Sequence, residues 1–301
     1  MQRVKELNRV NDYCVGFDLS ALHPQVTVAD LSQGRFVANT EITAVRYHFY
    51  AVFLKQGQAC TMRYGRENYD HQDGILVFVG PGQLVTIDHL PPDFKPDGHA
   101  LLFHPDLLLG TSLAKQMKEH TFFSYGLHEA LHISLRERQI VLDCFEKIRY
   151  ELTGGIDSHS KGLVVSNIEL FLKYCTRFYG RQFITRDLVN LGVIKNFEAS
   201  LNDYINSGKA RELGIPSVAH FAKQQNLSAN YFGDLVKKET GRTAQELIQD
   251  KIIELAKQKI FDFDKTVSEI AFELGFKHPQ HFSRFFKNKV GHSPNSYRSL
   301  N

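Results

Sequence analysis

The side chains best suited to selective chemistry stand close together late in the sequence: His278, Gln280, His281, Ser283 and Arg284. A glutamine amide can bond bidentately to adenine and an arginine guanidinium to guanine. Gln280 and Arg284, four residues apart on a predicted helix, share one face and could read base edges in a major groove. Lys277 and Lys287 flank them and offer charge to phosphate. A poorer set stands about 50 residues earlier: Ser228, Ala229, Asn230, Asp234 and Lys237. Only Asn230 in that set can make a comparable bidentate contact, and Asp234 has the wrong sign for a phosphate backbone.

The charge distribution agrees with this placement. The net charge of +3 conceals an asymmetry: residues 190–301 hold 16 Lys/Arg against 12 Asp/Glu, and residues 1–189 hold 20 against 21. No side-chain carboxylate follows Glu273, whereas Lys277, Arg284, Lys287, Lys289 and Arg298 do. Such a stretch matches phosphate electrostatically.

The elements that must position these residues repeat. Ser217–Ala222, Asn226-Leu227-Ser228, Tyr231-Phe232 and Leu235–Lys237 close at Gly241. Val267–Ala271, Gly275–Lys277, His281-Phe282 and Phe285–Lys287 close at Gly291. Each copy reads as a helix-turn-helix, over about 217–241 and 266–291. Ala222 and Ala271 allow close helix crossing, and Asn226 and Gly275 suit a left-handed turn. Ser228 can cap the helix that follows it, and Pro279 fits a first turn. Between the copies, Ala244, Leu247, Ile248, Ile252, Leu255, Ala256 and Ile260 mark one amphipathic linker helix, roughly 27 Å long over 244–261. A spacer of that size can present two recognition helices to successive major-groove segments of double-stranded DNA, about 34 Å apart.

Residues 190–301 resemble the DNA-binding domain of the AraC family of bacterial transcription regulators. The resemblance rests on Val267–Phe276, Gln280–Lys287 and Gly291–Arg298. It implies activation or repression of transcription, with RNA polymerase as a partner for an activator. It also implies a small-molecule effector bound by an N-terminal barrel, an expectation that rests on Tyr47–Tyr50 and Gly80–Gln83. Two departures stand out. Asp234 occupies a position where the family usually has a base-reading Arg, and Val85 stands where relatives often have His.

Residues 36–104 read as short strands at Val45–Leu54, Ala59–Tyr64, Ile75–Val79, Leu84–Ile87 and His99–Phe103, separated by Gly- and Pro-rich turns. Alternation along the first would put Arg46, His48 and Tyr50 on one face; with Arg63 they are the candidate ligand-binding residues. From Ser134 the period becomes helical, giving helices at about 134–153 and 158–180. The seam Val164, Ile168, Phe171, Cys175, Phe178 would either pair two chains as a homodimer or cover the barrel. A boundary is expected near Gly180–Gly192, where Gly and polar residues interrupt the pattern.

The expected fold is therefore α+β: an N-terminal antiparallel β-barrel of cupin-like type with a helix pair, residues 1–185, for sensing and dimerisation. An all-α DNA-binding domain with two helix-turn-helix units joined by a linker helix follows over 190–301. Residues 1–189 contain no HxH pair followed by Glu, and the chain has no G-x-S-x-G elbow or P-loop, so no catalytic residue, metal site or cofactor is expected. The alternatives are an effector-independent regulator whose first domain only dimerises, and a barrel enzyme with an appended DNA-binding domain. Cys14, Cys60, Cys144 and Cys175 lack metal or disulfide spacing, no apolar run is long enough to span a membrane, and the first residues show no signal peptide. A cytoplasmic location is the expectation.

Overall fold

The computed structural model describes residues 4–35, 44–55, 74–86, 97–126, 129–155, 157–185 and 187–300. The chain divides into two compact units, Met1–Thr185 and Arg186–Asn301.

The first unit is mixed α+β. Its strands are β1 (Val4–Leu7), β2 (Val26–Asp30), β3 (Ala44–Tyr47), β4 (Tyr50–Lys55), β5 (Ile75–Val79), β6 (Leu84–Thr86), β7 (His99–Phe103) and β8 (Leu131–His132). Its helices are α1 (Val10–Gly16), α2 (Ser112–Gln116), α3 (Leu135–Thr153) and α4 (Ser160–Thr185). The strands form a three-stranded sheet, β1-β3-β6, and a five-stranded sheet, β2-β7-β4-β5-β8. β1 runs parallel to β3, with Val4 opposite Ala44 and Leu7 opposite Tyr47. The described strands thus make two open sheets with one parallel pair, and no closed antiparallel barrel is found among them. The expected strand Ala59–Tyr64 lies outside the described residues.

The expected strand Val45–Leu54 is in fact two. The chain turns at His48-Phe49, and β3 and β4 belong to different sheets. Long-range pairing decides this: His48 N–H donates to the Leu7 carbonyl (2.9 Å), which continues the ladder that begins at β1. The odd-numbered residues Val45, Tyr47, Phe49, Ala51 and Phe53 join one buried cluster with Leu7, Tyr13, Val77, Val79, Ala100 and Leu102, drawn from both sheets. On its other face the five-stranded sheet sets Phe78 against Phe122, Phe123 and Tyr179, at 4.6, 5.5 and 6.0 Å between ring centroids.

Helix α3 starts at a capping box, Ser134 with Glu137. The seam Val164, Ile168, Phe171, Cys175, Phe178 of α4 is buried within this unit, with Phe171 5.3 Å from Phe145 of α3. Of the two uses expected for that stripe, covering its own domain is the one observed, because α3 and the sheet already occupy it. The end of α4 also closes a sheet edge. Gln182 accepts from His132 N–H (2.8 Å) and donates to the Ala130 carbonyl (3.3 Å). Arg181 donates to the His132 carbonyl (2.7 Å) and grips Glu137 at 2.7 and 2.9 Å. Side chains here satisfy backbone groups that an edge strand leaves open.

The second unit is helical: α5 (Asp187–Asn206), α6 (Lys209–Leu213), α7 (Val218–Gln224), α8 (Ala229–Thr240), α9 (Ala244–Ile260), α10 (Val267–Glu273), α11 (Pro279–Val290) and α12 (Pro294–Leu300). Gly180 and Gly192, expected to interrupt the chain, lie inside α4 and α5. A Cβ at either position would meet nothing within 4 Å, so each glycine costs its helix only the entropy term of about 1 kcal/mol.

Candidate nucleic-acid interface

Each helix-turn-helix is locked by aromatic packing. In the first, Phe197 of α5 lies 5.1 Å from Phe221 of α7 and 5.2 Å from Phe232 of α8, both nearly edge-on. In the second, Phe282 of α11 lies 5.3 Å from Phe276 and 5.8 Å from Phe286. Phe286 in turn meets the ring of Tyr297 in α12 at 5.5 Å. Ala222 and Ala271 are buried where the paired helices cross. Ser228 caps α8, accepting from Tyr231 N–H (3.2 Å), and α11 opens on Pro279. Both recognition helices span 12 residues and end on a left-handed glycine, Gly241 (φ +72) and Gly291 (φ +89). The linker α9, 17 residues long, spans about 25 Å.

The polar residues fall on the open side of these helices. Gln280, His281, Arg284 and Lys287 of α11 are exposed, as are Lys277 and His278 before it, and Ser283 is half-buried. The rings of His278 and His281 lie 5.2 Å apart. In the first unit Ala229, Asn230 and Lys237 are exposed, while Ser228 and Asp234 are half-buried.

Two cations of the basic stretch have other work. Arg298 donates to the carbonyls of Ile260 (2.6 Å), Asp262 (3.2 Å) and Lys265 (3.0 Å), closing the α9–α10 loop. Lys289 lies 3.6 Å from Asp250, which also pairs with Arg242. Among the described residues of that stretch, Lys277, Arg284 and Lys287 are then the cations left for phosphate or base. Glu273, the last carboxylate, is held by Lys259 (2.7 Å) and Lys265 (2.6 Å), and these bonds keep its carboxyl below the usual range. Local sequence pattern gives no sign of either arrangement, because the partners are carbonyls and charges from other elements.

Among the described candidate ligand residues, Tyr50 stands apart from Arg46 and His48. Arg46 and His48 point away from the inter-sheet core and pair with Glu6 at 3.3 and 2.7 Å. The His48 hydrogen bond, with help from Arg46, holds the Glu6 carboxyl below its usual range. Tyr50 is half-buried and stacks on Phe103 at 5.0 Å. Arg63 lies outside the described residues. Between the sheets stand Tyr13 and Tyr47, which local pattern does not mark as ligand residues; burial raises both phenols, so they stay neutral. Among the described residues no cluster of three or more His, Cys, Asp or Glu is placed to hold a metal, and no helix is long and apolar enough to cross a membrane.

Residues 221–299 match the family model described as a helix-turn-helix domain. These residues form an AraC-type helix-turn-helix DNA-binding domain. Among curated proteins, the chain is 27% identical over 188 residues to the uncharacterized HTH-type transcriptional regulator YfiF of Bacillus subtilis, covering 62% of this chain and 56% of that protein. It is 22% identical over 221 residues to YobQ of the same organism, another uncharacterized HTH-type regulator, covering 69% and 81%. The chain thus matches little more than half the length of the first and most of the second. Among solved structures, the C-terminal domain of AraT, a response regulator from Geobacillus stearothermophilus, is 24% identical with a TM-score of 0.32, covering 36% of this chain and 84% of that one.

Proposed function

We propose that this chain is a sequence-specific transcription regulator whose AraC-type domain engages double-stranded DNA through α8 and α11. The observation that carries this reading is the pairing, within one compact unit, of two recognition helices with matching cores and polar open faces. In it, Gln280 and Arg284 read bases, Asn230 makes the one strong contact of the first unit, and Lys237, Lys277 and Lys287 meet phosphate. Ser228, Ala229, His278, His281 and Ser283 line the same faces, and Asp234 weakens the first. Selection of bound duplexes from a random pool tests it: an enriched motif is expected, and recovery of unenriched DNA would overturn it. RNA polymerase is the partner this reading adds for an activating role.

Effector control belongs to the same proposal. The core between the sheets holds Tyr13, Tyr47, Phe49 and Phe53, so an effector that opened a place there would be apolar and uncharged. A thermal-shift screen should return apolar compounds; stabilisation by charged metabolites alone would remove this part. Homodimerisation is also proposed. With the inner seam of α4 occupied, the helix offers Leu163 and Leu170, one heptad apart and 47% and 40% exposed. Sedimentation of a Leu163→Asp/Leu170→Asp chain should give a folded monomer, and an unchanged dimer would exclude this face.

A further inference from the structure

The two helix-turn-helix units make the same backbone turn with different residues. The first turns at Asn226, φ +56 and exposed; the second at Gly275, φ +89. Asparagine is one of the few side chains that accept this conformation, so backbone geometry alone does not demand glycine in the second unit. The surroundings do. A Cβ on Gly275 would stand 2.8 Å from the Ala210 carbonyl oxygen, 2.8 Å from the Gly214 carbonyl carbon and 2.9 Å from the Ile215 nitrogen. All three are backbone atoms, which cannot swing aside. They belong to α6 and the segment that leads into α7, the first helix of the first unit. Tyr204 of α5 holds that segment from behind, its hydroxyl donating to the Gly214 carbonyl at 3.0 Å. Gly291, also at φ +89, has nothing within 4 Å of the same position.

Beside the linker α9, the units therefore also meet where residues 210–215 lie on Gly275. One connecting helix leaves its two ends free to twist and bend relative to each other, and a second attachment away from its axis removes that freedom. We propose that the segment 208–215, seated on Gly275, is a strut that fixes the second recognition helix relative to the first and so sets the half-site spacing the domain accepts. This rests on the DNA-binding reading above. Gly275 and Tyr204 are positioning residues in it and touch no base.

The test is selection from a random pool by the full chain in four forms: wild type, Gly275→Ala, Gly291→Ala and Tyr204→Phe. Wild type should return paired half-sites at one spacing; a wild type that enriches no motif would sink the DNA-binding reading itself, a separate failure. Gly275→Ala should return the same half-site motifs over several spacings, with affinity for the wild-type spacing lowered about tenfold or more as the paired contact loses its geometry. Gly291→Ala carries equal backbone strain without the contact and should keep one spacing. Tyr204→Phe should broaden spacing to a smaller degree. A folded Gly275→Ala chain with wild-type spacing would overturn the proposal, as would equal broadening by Gly291→Ala. Should circular dichroism show Gly275→Ala unfolded, Tyr204→Phe decides: broadened spacing supports the strut, and wild-type spacing overturns it.

Discussion

Asn230 and Gln280 occupy the same place in the two recognition helices, as do Gly233 and Ser283, Asp234 and Arg284, and Lys237 and Lys287. Behind them Phe232 and Phe282 are both fully buried. The inner side of the repeat is shared and the outer side is not. Packing constrains the first strongly, since any loss of volume in a core is felt, while the outer residues answer only to what they meet. One framework can then carry two unequal readers.

The largest expected effect tests the shared side. Phe232→Ala and Phe282→Ala should each lower unfolding stability by about 3–5 kcal/mol in chemical denaturation. A loss near zero for one alone would show that the two cores are not equivalent. The unequal side comes next. Arg284→Ala should remove about 1–3 kcal/mol of discrimination at a position under the second unit, whereas Asn230→Ala should relax only the position it reads under the first unit and leave the rest of the selected motif intact. The reverse outcome would invert the ranking of the units. Lys237→Ala and Lys287→Ala should act alike, each flattening the log–log salt dependence of binding by about 0.9. A change in preferred sequence instead would move that lysine from phosphate to base.

The smallest effect concerns acid. Glu273 has a lowered carboxyl pKa in the folded chain because Lys259 and then Lys265 bond to it. Its contribution is therefore present above the ordinary carboxylate range near 4.5 and is lost as pH falls through the lowered folded value. Glu273→Gln should cost about 1 kcal/mol or less at neutral pH, as for other partly exposed pairs, and should flatten stability against pH in the acid range. The first unit has Gln224 at the matching place, so Gln224→Ala should leave that acid dependence unchanged.

The helix-turn-helix region is legible because its signals are local or periodic: a repeat of about 50 residues, Ser228 before a helix, Pro279 inside one, and left-handed positions at Asn226 and Gly275. What cannot be read is set by distant partners. The pairing of β1 with β3 joins residues 40 apart in sequence and decides that Tyr47, not Arg46 or His48, faces the core. Arg298 reads as one more basic residue until three carbonyls are seen to accept from it. Gly180 and Gly192 read as breaks because nothing local says that a helix continues through them.

The clamp made by Arg298 also bears on the order in which the domain can be completed during synthesis. Ribosomes deliver the chain from its N-terminal side, and the carbonyls of Ile260, Asp262 and Lys265 emerge 38, 36 and 33 residues before the guanidinium that closes over them. By then α5, α7 and α8 have all been made, so the aromatic core of the first unit can assemble while the α9–α10 loop is still open. On the reading proposed above, the nascent chain would acquire its weaker reader first and its stronger one only once Arg298 has been made.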